Sequence, residues 1–365
     1  MRTFVMAGGG TGGHILPALA VAQELRERGH QVQFIGVQSG LEARLVPAEK
    51  FLIRWIDIGG LNRVGLWPTM KTLAKLPLSV WRASRILKQS QPSAVFSTGG
   101  YVAGPVLLAA MLGGTPIVIM EPNAIPGFTH RKMAKFVTRA LVSFPETARW
   151  FPAGRTRITG LPTRREFFLL TPKPRAEMIT VLITGGSQGS QRLNSAVRES
   201  WPLWSSSPLH GKIRLVHQTG KRMYQEIERA FRATRLSGEV AEFLPDMARV
   251  LGEADIVVAR SGMGTVSELA ASGKPSMLVP FPAAADDHQL KNAQVFQQAG
   301  AAKLVLDHDM NGQRLVDEVT RLATVPGLLE TMAQAARSFA HPAAAANAAD
   351  ALEEVAAEYE GKSKR

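Results

Sequence analysis

The chain has 365 residues, of which 45% are hydrophobic, and 43 Lys or Arg against 30 Asp or Glu give a formal net charge of +13. Cysteine is absent, which excludes disulfides, thiolate catalysis and cysteine-ligated metal sites. No apolar run reaches the roughly 18 residues of a membrane span, so the sequence predicts a globular chain of two domains. Residues 1–163 carry 19 basic and 7 acidic side chains, a basic excess that favours nucleic acid or an anionic membrane surface as partner.

The first predicted elements are a buried strand at 3–7, a glycine loop at 8–13 and a helix beginning near His14. Glycine lets the backbone approach a ligand closely, and a helix N-terminus presents unpaired N–H groups, so the loop predicts an anion site. The alternative is a tight strand-to-helix turn without a ligand. Gly8, Gly10 and Gly13 match the dinucleotide fingerprint, but the second strand ends without the acidic residue that a ribose needs, which disfavours a dehydrogenase.

Strands at 31–37 and 51–58, with a helix at about 40–50 between them, lead to an amphipathic stretch at 62–89. Large apolar residues interleaved with cations at helical spacing suit a helix lying on an acidic lipid surface. The alternative is a core-facing helix with a solvated basic face. Pro77 predicts a break into two helices or a kink. The residues that would associate with the membrane are Leu66, Trp67, Leu73 and Trp81, with the cations Lys71, Lys75, Arg82 and Arg85.

A strand at 94–98, a second glycine turn at 99–105 and a helix come next, followed by strands at 116–120 and 141–144. The Pro-, Gly- and Arg-rich stretch 151–168 reads as the linker between domains. The pattern then restarts: residues 180–197 repeat the strand, glycine loop and helix of residues 3–21. Further strands are predicted at 213–220, 240–245, 254–262 and 275–282, and a helix after Pro342. Alternating strands and helices predict two α/β domains with parallel sheets, whose ligands bind beyond the carboxyl ends of the strands in an interdomain cleft.

Two stretches of the second half carry candidate ligand-binding residues. In 259–275 a small-residue loop precedes a helix that carries Glu268, a carboxylate suited to both hydroxyls of a ribose, although it could simply be an acid favoured by the helix dipole. In 280–293 the polar residues Asp286, Asp287, His288 and Gln289 follow a strand and suit sugar hydroxyls. The aspartates could instead cap a helix. They lack a third ligand with suitable spacing, so no metal site is predicted.

Several motifs in order carry a resemblance to one family. GGTGGH (9–14), STGGYVAGP (97–105), Glu-x-Asn-Ala-Ile-x-Gly (121–127), GGSQGS (185–190) and RSGMGTVSELAASGKP (260–275) together resemble the family 28 glycosyltransferases that form lipid II in bacterial peptidoglycan synthesis. The resemblance implies a GT-B fold: two Rossmann-like domains facing a deep cleft. It implies an acceptor- and membrane-binding domain at 1–163, a UDP-N-acetylglucosamine-binding domain at 164–341, and a helix at 342–365 that packs on the first domain.

The resemblance further implies a donor site. Glu268 would take the ribose, the glycine loop the diphosphate, and main chain near Leu244 and Met263 the uracil. Gln289 would hold the 3- and 4-hydroxyls of the sugar. The implied donor-binding residues are Thr11, Gly12, Gly13, Asn123, Arg164, Ser187, Gln188, Gly189, Leu244, Met263, Gly264, Thr265, Glu268, His288 and Gln289.

The implied acceptor is undecaprenyl-diphospho-N-acetylmuramoyl-pentapeptide, whose diphosphate would meet Gly10, Gly99, Gly100 and Tyr101. Inverting transfer needs a base for the acceptor 4-hydroxyl. His14, with a reference pKa of about 6.5, is one candidate. Alternatively it caps the helix or binds the acceptor diphosphate, and Glu121 is the rival base. Neither a cofactor nor a metal is expected.

Two positions depart from the family pattern. The usual His-Glu-Gln-Asn reads Met120-Glu121-Pro122-Asn123, which keeps Glu121 and Asn123 but removes a histidine and an amide. His288 stands where a glutamine is usual, which puts a donor contact there in doubt.

Three other functions fit the sequence less well. A GT-B UDP-N-acetylglucosamine 2-epimerase would leave the basic-apolar stretch unexplained, and a non-catalytic nucleotide-sugar-binding protein would need no base. A nucleic-acid-binding protein is disfavoured because the cations interleave with Leu and Trp and no such motif occurs. The resemblance implies peripheral attachment to the cytoplasmic face of the inner membrane, with proteins of the cell-wall synthesis complex as further partners.

Overall fold

The computed structural model describes residues 1–59, 66–171 and 177–363, without the side chains of 66–73, 362 and 363. The chain divides into two compact units. Unit 1 comprises Met1–Pro162 together with Ala343–Arg365, and unit 2 comprises Thr163–Pro342.

Unit 1 is built on a parallel sheet that has seven strands in the described ranges. The strands are β1 (Thr3–Gly8), β2 (Gln31–Gly36), β3 (Leu52–Trp55), β4 (Ala94–Gly99), β5 (Ile117–Glu121), β6 (Arg139–Val142) and β7 (Thr156–Ile158), in the order β3-β2-β1-β4-β5-β6-β7. The α-helices are α1 (Gly12–Glu27), α2 (Glu42–Ala48), α3 (Leu66–Ser90), α4 (Ala103–Leu112) and α5 (Phe128–Met133), with 3-10 turns at Ala134–Phe136 and Pro145–Trp150.

Unit 2 repeats the plan with six described strands. They are β8 (Ile179–Thr184), β9 (Ile213–Gln218), β10 (Ser237–Ala241), β11 (Ile256–Ala259), β12 (Ser276–Leu278) and β13 (Ala302–Leu304), in the order β10-β9-β8-β11-β12-β13. Its α-helices are α6 (Arg165–Phe168), α7 (Gln191–Ser200), α8 (Tyr224–Arg232), α9 (Met247–Glu253), α10 (Met263–Ser272), α11 (His288–Gln298), α12 (Gly312–Thr324) and α13 (Leu328–Arg337). Shorter 3-10 turns lie at Pro202–Ser206, Ala285–Asp287 and Asp307–Asp309.

The predicted fold class, two α/β domains with parallel sheets, is confirmed. The central strands are apolar on both faces, as strands covered by helices on either side must be, and Phe4, Val5 and Met6 of β1 are all fully buried. In each sheet the strand before the glycine loop is central: β1 pairs with β2 and β4, and β8 pairs with β9 and β11. Each glycine loop therefore lies between the loops that follow two neighbouring strands.

The structure differs from the sequence-based predictions at three places. Residues 151–168 are not irregular throughout, because Thr156–Ile158 pairs with β6 as an edge strand and Arg165–Phe168 forms a helical turn. The short strand β13 was not predicted. Pro77 does not divide the amphipathic stretch, since α3 runs unbroken from Leu66 to Ser90. Packing outweighs the lost backbone hydrogen bond there, because the inner face of α3 is buried in the core of unit 1.

The last helix, α14 (Ala344–Ser363), packs on unit 1 against α1, β4 and β6. Its acidic side chains pair with basic residues of that unit. Arg28 reaches Asp350 at 2.6 Å and Glu353 at 2.8 Å, while Arg2, Arg139 and Arg157 pair with other glutamates of the helix. Part of the basic excess counted in residues 1–163 is thus neutralised within unit 1, which reduces the charge left for an external partner.

His217 in β9 is a buried histidine that affects the stability of unit 2. It is 1% exposed, and its Nε2 lies 3.0 Å from Oδ1 of Asn194. Burial lowers the pKa of His217 to about 3. The unfolded chain, with a histidine pKa of about 6.5, takes up this proton far more readily than the folded one, so folding stability is lost as the pH falls from 6.5 towards 3.

We therefore expect unit 2 to lose on the order of 2 kcal/mol of unfolding free energy between pH 7 and pH 5 through His217. Hydrogen exchange of the β8 and β9 amides measures this loss in unit 2. His217→Gln should flatten the pH dependence, whereas the matched change His308→Gln, at a side chain that is 75% exposed, should leave it as in the parent. A His217→Gln protein with the parent's pH dependence would contradict this assignment.

Candidate active site

The glycine loop of unit 1 is held by backbone contact with the turn after β4. Gly100 has a φ of +83°, and a β-carbon there would overlap the carbonyl oxygen of Gly9. The N–H of Gly10 donates over 2.8 Å to Oε2 of Glu42, a fully buried carboxylate that also accepts from the N–H of Val37. The Gly10 N–H is therefore satisfied inside the protein, which argues against its use for the acceptor diphosphate.

Tyr101 lies beside this loop. A β-carbon on Gly10 would come within 2.5 Å of its ring, so the two residues predicted on the acceptor side do meet. Burial raises the pKa of Tyr101, the Glu42 carboxylate raises it further, and a hydrogen bond with Ser39 opposes both. The phenol is therefore neutral at ordinary pH and can donate a hydrogen bond.

His14, in the first turn of α1, contacts the end of β4. Its Nδ1 lies 2.8 Å from the carbonyl oxygen of Thr98, and Thr98 Oγ1 donates over 2.8 Å to the His14 carbonyl. Because a carbonyl oxygen only accepts, Nδ1 must carry a proton, and in the neutral ring Nε2 then carries the lone pair. His14 is half-buried, and its geometry suits a proton acceptor at Nε2.

Glu121, at the end of β5, is 2% exposed and its two oxygens accept four hydrogen bonds. Oε1 accepts from the backbone and side-chain nitrogens of Asn123 at 3.1 and 3.0 Å, and Oε2 from Gly127 N at 3.0 Å and His130 Nδ1 at 2.9 Å. Burial alone would raise the pKa of Glu121, but the bond and charge of His130 and the remaining donors outweigh it and lower the pKa below its usual range. A saturated carboxylate of low pKa is a weak base.

His130 was not among the predicted site residues. Its ring is 2% exposed and joins Glu121 to Ser97, whose Oγ lies 3.3 Å from His130 Nε2. Although the sequence has Met120 where a histidine is usual before the glutamate, the fold brings an imidazole to that glutamate from nine positions farther along the chain.

The glycine loop of unit 2, between β8 and α7, is held in the same manner as that of unit 1. Gly189 has a φ of +73°, and a β-carbon there would overlap the carbonyl oxygen of Thr219, in the turn after β9. Gln218, the last residue of β9, links the glycine loop to the segment after β10, since its Nε2 donates over 2.9 Å to the Gly186 carbonyl and its Oε1 accepts over 2.9 Å from Leu244 N. The backbone of the loop is therefore fixed before any ligand binds.

A cavity of about 720 Å³ opens beside this loop within unit 2. Three of the predicted donor residues, Gln188, Gly189 and Gln289, line it. Arg260, which was not predicted as a site residue, lies at its wall. The Arg260 guanidinium donates to Ser190 Oγ at 2.7 Å and to the Val279 and Pro280 carbonyls, and its Nη1 forms an ion pair with Asp307 Oδ1 at 2.6 Å. The other lining residues are Gly185, Ser190, Gln191, Arg192, Ser195, Phe281 and Asp307.

Gln289 and His288 begin α11. Gln289 Oε1 accepts from Phe281 N over 3.0 Å, which leaves its NH₂ group for a sugar hydroxyl. His288 Nδ1 donates over 2.6 Å to the Ala285 carbonyl. Asp286 and Asp287 both have a φ of +51°, a strained backbone for aspartate, and Asp287 makes no side-chain cap to α11. Among the described residues no group of three potential metal ligands occurs.

Glu268 and Arg164 are brought together. The turn α6, which begins at Arg165, packs on α10, the helix that carries Glu268. Burial raises the pKa of Glu268 to about 7, the Arg164 charge opposes this rise, and the Glu166 charge adds to it. Arg164 is itself paired with Glu166 at 2.8 Å. Glu268 thus titrates near neutral pH, and it lies beyond the first turn of α10, where a helix dipole would favour an acid.

The remaining predicted donor residues stand at helix starts and loops. Met263, Gly264 and Thr265 form the first turn of α10, whose leading N–H groups have no partner within the helix. The N–H of Leu244 is already taken by Gln218, so only its carbonyl remains for a uracil. Ser187 is exposed on the unit 2 loop, and on the unit 1 loop Thr11 and Gly13 are exposed and Gly12 is half-buried.

The described part of α3 has two faces. Ser79, Ala83 and Leu87 are buried in the core. On the outer face Leu78 is 50% and Trp81 57% exposed, and Arg82 and Arg85 are also exposed. Lys75 binds the Asp57 carboxylate at 2.9 Å, so it is not a free cation. The side chains of Leu66, Trp67, Lys71 and Leu73 lie outside the described residues. Among the helices described, none has the length and apolar character to span a bilayer.

Several residues that the fold brings to the two glycine loops and the cavity were not predicted from the sequence. Arg260 ends a predicted strand next to the Glu268 motif, and an arginine at a carboxyl end beside a glycine loop is a recognisable signal. Glu42 and His130 carry no comparable local signal, since each reaches its loop through a contact that only the tertiary fold creates. These missed residues are Glu42, Ser97, Thr98, His130, Ser190, Arg192, Gln218, Arg260, Phe281 and Asp307.

The chain is similar to known proteins over most of its length. Residues 4–142 match the glycosyltransferase family 28 N-terminal domain, and residues 180–353 match the family 28 C-terminal domain. A relative from Solibacter usitatus, named UDP-N-acetylglucosamine--N-acetylmuramyl-(pentapeptide) pyrophosphoryl-undecaprenol N-acetylglucosamine transferase, is 56% identical over 97% of this chain and 96% of its own. A relative of the same name from Syntrophus aciditrophicus is 36% identical over 95% and 96%.

Solved structures give the same comparison at the level of the fold. The crystal structure of Acinetobacter baumannii MurG matches with a TM-score of 0.80 and 31% identity, covering 97% of this chain and all of that one. UDP-GlcNAc 2-epimerase from Neisseria meningitidis, bound to UDP-GlcNAc, matches with a TM-score of 0.66 at 13% identity, covering 97% of this chain and all of the other. The epimerase shares the fold alone.

Proposed function

Because the chain belongs to glycosyltransferase family 28, we propose that it transfers N-acetylglucosamine from UDP-N-acetylglucosamine, with inversion, to the 4-hydroxyl of the muramoyl sugar in undecaprenyl-diphospho-N-acetylmuramoyl-pentapeptide. This reaction converts lipid I to lipid II in peptidoglycan synthesis. The observation that carries the proposal is the 56% identity, over nearly the whole chain, to a relative named for this activity.

The donor binds unit 2 in this proposal. The diphosphate lies on the Gly185–Ser190 loop at the N-terminus of α7, where N–H groups and the helix dipole favour an anion. Arg260 and Arg192 line the same cavity and add positive charge. As diphosphate charge develops on the departing UDP, these fixed donors stabilise it. Ser187, Gln188 and Gly189 supply the loop itself.

The nucleoside and the sugar occupy the surrounding residues. Glu268 accepts hydrogen bonds from both ribose hydroxyls, with Arg164 near the donor. Uracil meets the Leu244 carbonyl and the first turn of α10, formed by Met263, Gly264 and Thr265. Gln289 donates its amide to the sugar hydroxyls. His288 contributes less, because its Nδ1–H is held by Ala285.

The acceptor binds unit 1, and His14 is the base. With Nδ1–H committed to the Thr98 carbonyl, the neutral ring offers its Nε2 lone pair to the acceptor hydroxyl. Glu121 does not serve as the base in this account. Its four hydrogen bonds instead order the segment from Asn123 to His130.

The acceptor diphosphate meets the start of α1, at Gly12 and Gly13 with Thr11 before them, and Gly100 with the Tyr101 hydroxyl after β4. The N–H of Gly99, at the end of β4, donates to Ser97 Oγ, so Gly99 serves the turn rather than the ligand. Gly10 keeps its N–H on Glu42 and serves the turn rather than the ligand. The chemistry proposed for this chain needs no metal.

Membrane attachment uses the outer face of α3. Leu78 and Trp81 supply exposed apolar area, and Arg82 and Arg85 supply charge for anionic lipid. Lys75 contributes less because of Asp57. This face would hold the protein peripherally on the cytoplasmic side of the inner membrane, near its lipid acceptor and the proteins of cell-wall synthesis.

Two other functions would give different experimental results. A UDP-N-acetylglucosamine 2-epimerase would act on the donor without any acceptor, and a nucleotide-sugar-binding protein would bind the donor without turnover. The epimerase resemblance is confined to the fold at 13% identity, whereas the transferase relatives match through the whole sequence.

The direct test supplies labelled UDP-N-acetylglucosamine and a soluble analogue of the lipid acceptor. We expect labelled disaccharide product, and we expect His14→Ala to lower kcat by about 10²- to 10⁴-fold while donor affinity changes little, since a general base acts in the transition state. Folded protein that binds the donor but makes no disaccharide would refute the transferase proposal. Donor converted without acceptor would favour the epimerase.

The pKa of Glu268 predicts how donor affinity varies with pH. With a pKa of about 7, the carboxylate that accepts the ribose hydroxyls is mostly protonated at pH 6 and mostly ionised at pH 8. The affinity for UDP-N-acetylglucosamine should therefore rise about tenfold from pH 6 to pH 8, measured by calorimetry. Glu268→Gln should bind weakly at both pH values, with this dependence removed. A variant that kept the parent's pH dependence would remove Glu268 from the ribose.

A further inference from the structure

A buried polar chain runs behind His14 and contains two groups that the proposed mechanism does not use. His130 donates from Nδ1 to Glu121 Oε2 at 2.9 Å, and its Nε2 lies 3.3 Å from Oγ of Ser97. His130 is 2% exposed and Ser97 fully buried. Both side chains are therefore shielded from solvent.

The chain of bonds ends on one peptide group. Ser97 Oγ accepts from Gly99 N over 3.1 Å, and the carbonyl of the same Thr98–Gly99 peptide accepts from His14 Nδ1 over 2.8 Å. Because a peptide is planar, fixing its N–H fixes the direction of its C=O. Ser97 therefore holds one end of the group whose other end holds His14.

Gly99 makes this restraint necessary. Its φ is +96°, and next to glycine the preceding peptide can rotate to a second orientation without a steric penalty. Such a rotation would turn the Thr98 carbonyl away from His14. A β-carbon on Gly99 would lie 3.3 Å from His14 Nδ1 and 3.5 Å from His130 Cε1, so the turn is enclosed between the two imidazoles.

We propose that Ser97 and His130 are positioning residues for His14: they lock the Thr98–Gly99 peptide and so keep the His14 proton on Nδ1 and the lone pair on Nε2. The inference rests on the proposed function for its effect on catalysis, but its effect on the His14 tautomer does not depend on that function. Glu121 anchors the far end of this chain of bonds.

Three variants separate positioning from general stability. Ser97→Ala removes the bond to Gly99 N without uncovering the buried Glu121 charge. His130→Asn keeps an amide donor for Glu121 and loses the bond to Ser97. Ser143→Ala is the matched control, because Ser143 follows β6, is also buried, and its Oγ has no hydrogen-bond partner among the described residues.

The ¹⁵N shifts of the His14 ring report the tautomer in protein labelled at histidine. We expect Nδ1–H in the parent and in Ser143→Ala, and a shift towards Nε2–H in Ser97→Ala and His130→Asn. In the transferase assay, the kcat of these two variants should fall about 10- to 100-fold, as when an orienting partner of a catalytic histidine is removed. Their KM for the donor should stay within about threefold of the parent's value. The double variant should lose no more kcat than the more impaired of the two single variants.

An unchanged tautomer in Ser97→Ala would overturn the proposal, as would a kcat loss no larger than that of Ser143→Ala. Losses that multiply in the double variant would show that the two residues act separately and would overturn the single chain of bonds. A parent that shows Nδ1–H but makes no disaccharide would refute the transferase function while supporting the restraint on His14.

Discussion

Direct contact between two backbone segments fixes the conformation of both candidate glycine loops. A side chain at the contact would prevent it. In unit 1 the Gly9 carbonyl lies against Gly100, and in unit 2 the Thr219 carbonyl lies against Gly189. Both contacts arise from the same topology, a central strand whose loop lies beside the loop of its neighbour in a parallel sheet. A β-carbon at either glycine would force the loops apart. The residues that follow each loop are placed by this contact.

The backbone contact positions different groups in the two units. In unit 1 it brings the start of α1 to the end of β4, where His14 finds the Thr98 carbonyl and acquires a defined tautomer. In unit 2 it aims the start of α7 into a cavity whose wall carries Arg260 and Gln289. The first arrangement suits proton acceptance and the second suits an anion. The same loop geometry therefore supports two roles, decided by the side chains around it.

The sequence was informative where chemistry and structure are encoded locally. Apolar strands and glycine loops identified the parallel α/β fold, because buried strands and strand-to-helix turns leave a pattern within ten residues. Ordered motifs identified the family. Glu42 and His130 could not be predicted in this way, since a buried carboxylate under Gly10 or an imidazole beside Glu121 depends on elements that are distant in sequence.

Competition between local sequence preference and tertiary packing explains other differences between the predicted and the observed structure. Pro77 disfavours a continuous helix, yet α3 continues because its inner face is buried. The basic charge of residues 1–163 indicated an external polyanion, but four arginines there hold α14, whose acids are more than 340 residues away from Arg2. Net charge counted along a sequence cannot distinguish an internal ion pair from an open surface. Arg82 and Arg85 remain exposed on the outer face of α3.

The central claim is that the backbone contact of Gly189 builds the donor diphosphate site. Gly186, in the same loop, also has positive φ, at +79°, but a β-carbon there meets nothing within 4 Å. Calorimetric binding of UDP to Gly189→Ala and Gly186→Ala therefore separates the contact from backbone strain. The account predicts at least about tenfold weaker binding for Gly189→Ala than for Gly186→Ala, since the loop must move to relieve the overlap. Equal affinity in the two variants would contradict it.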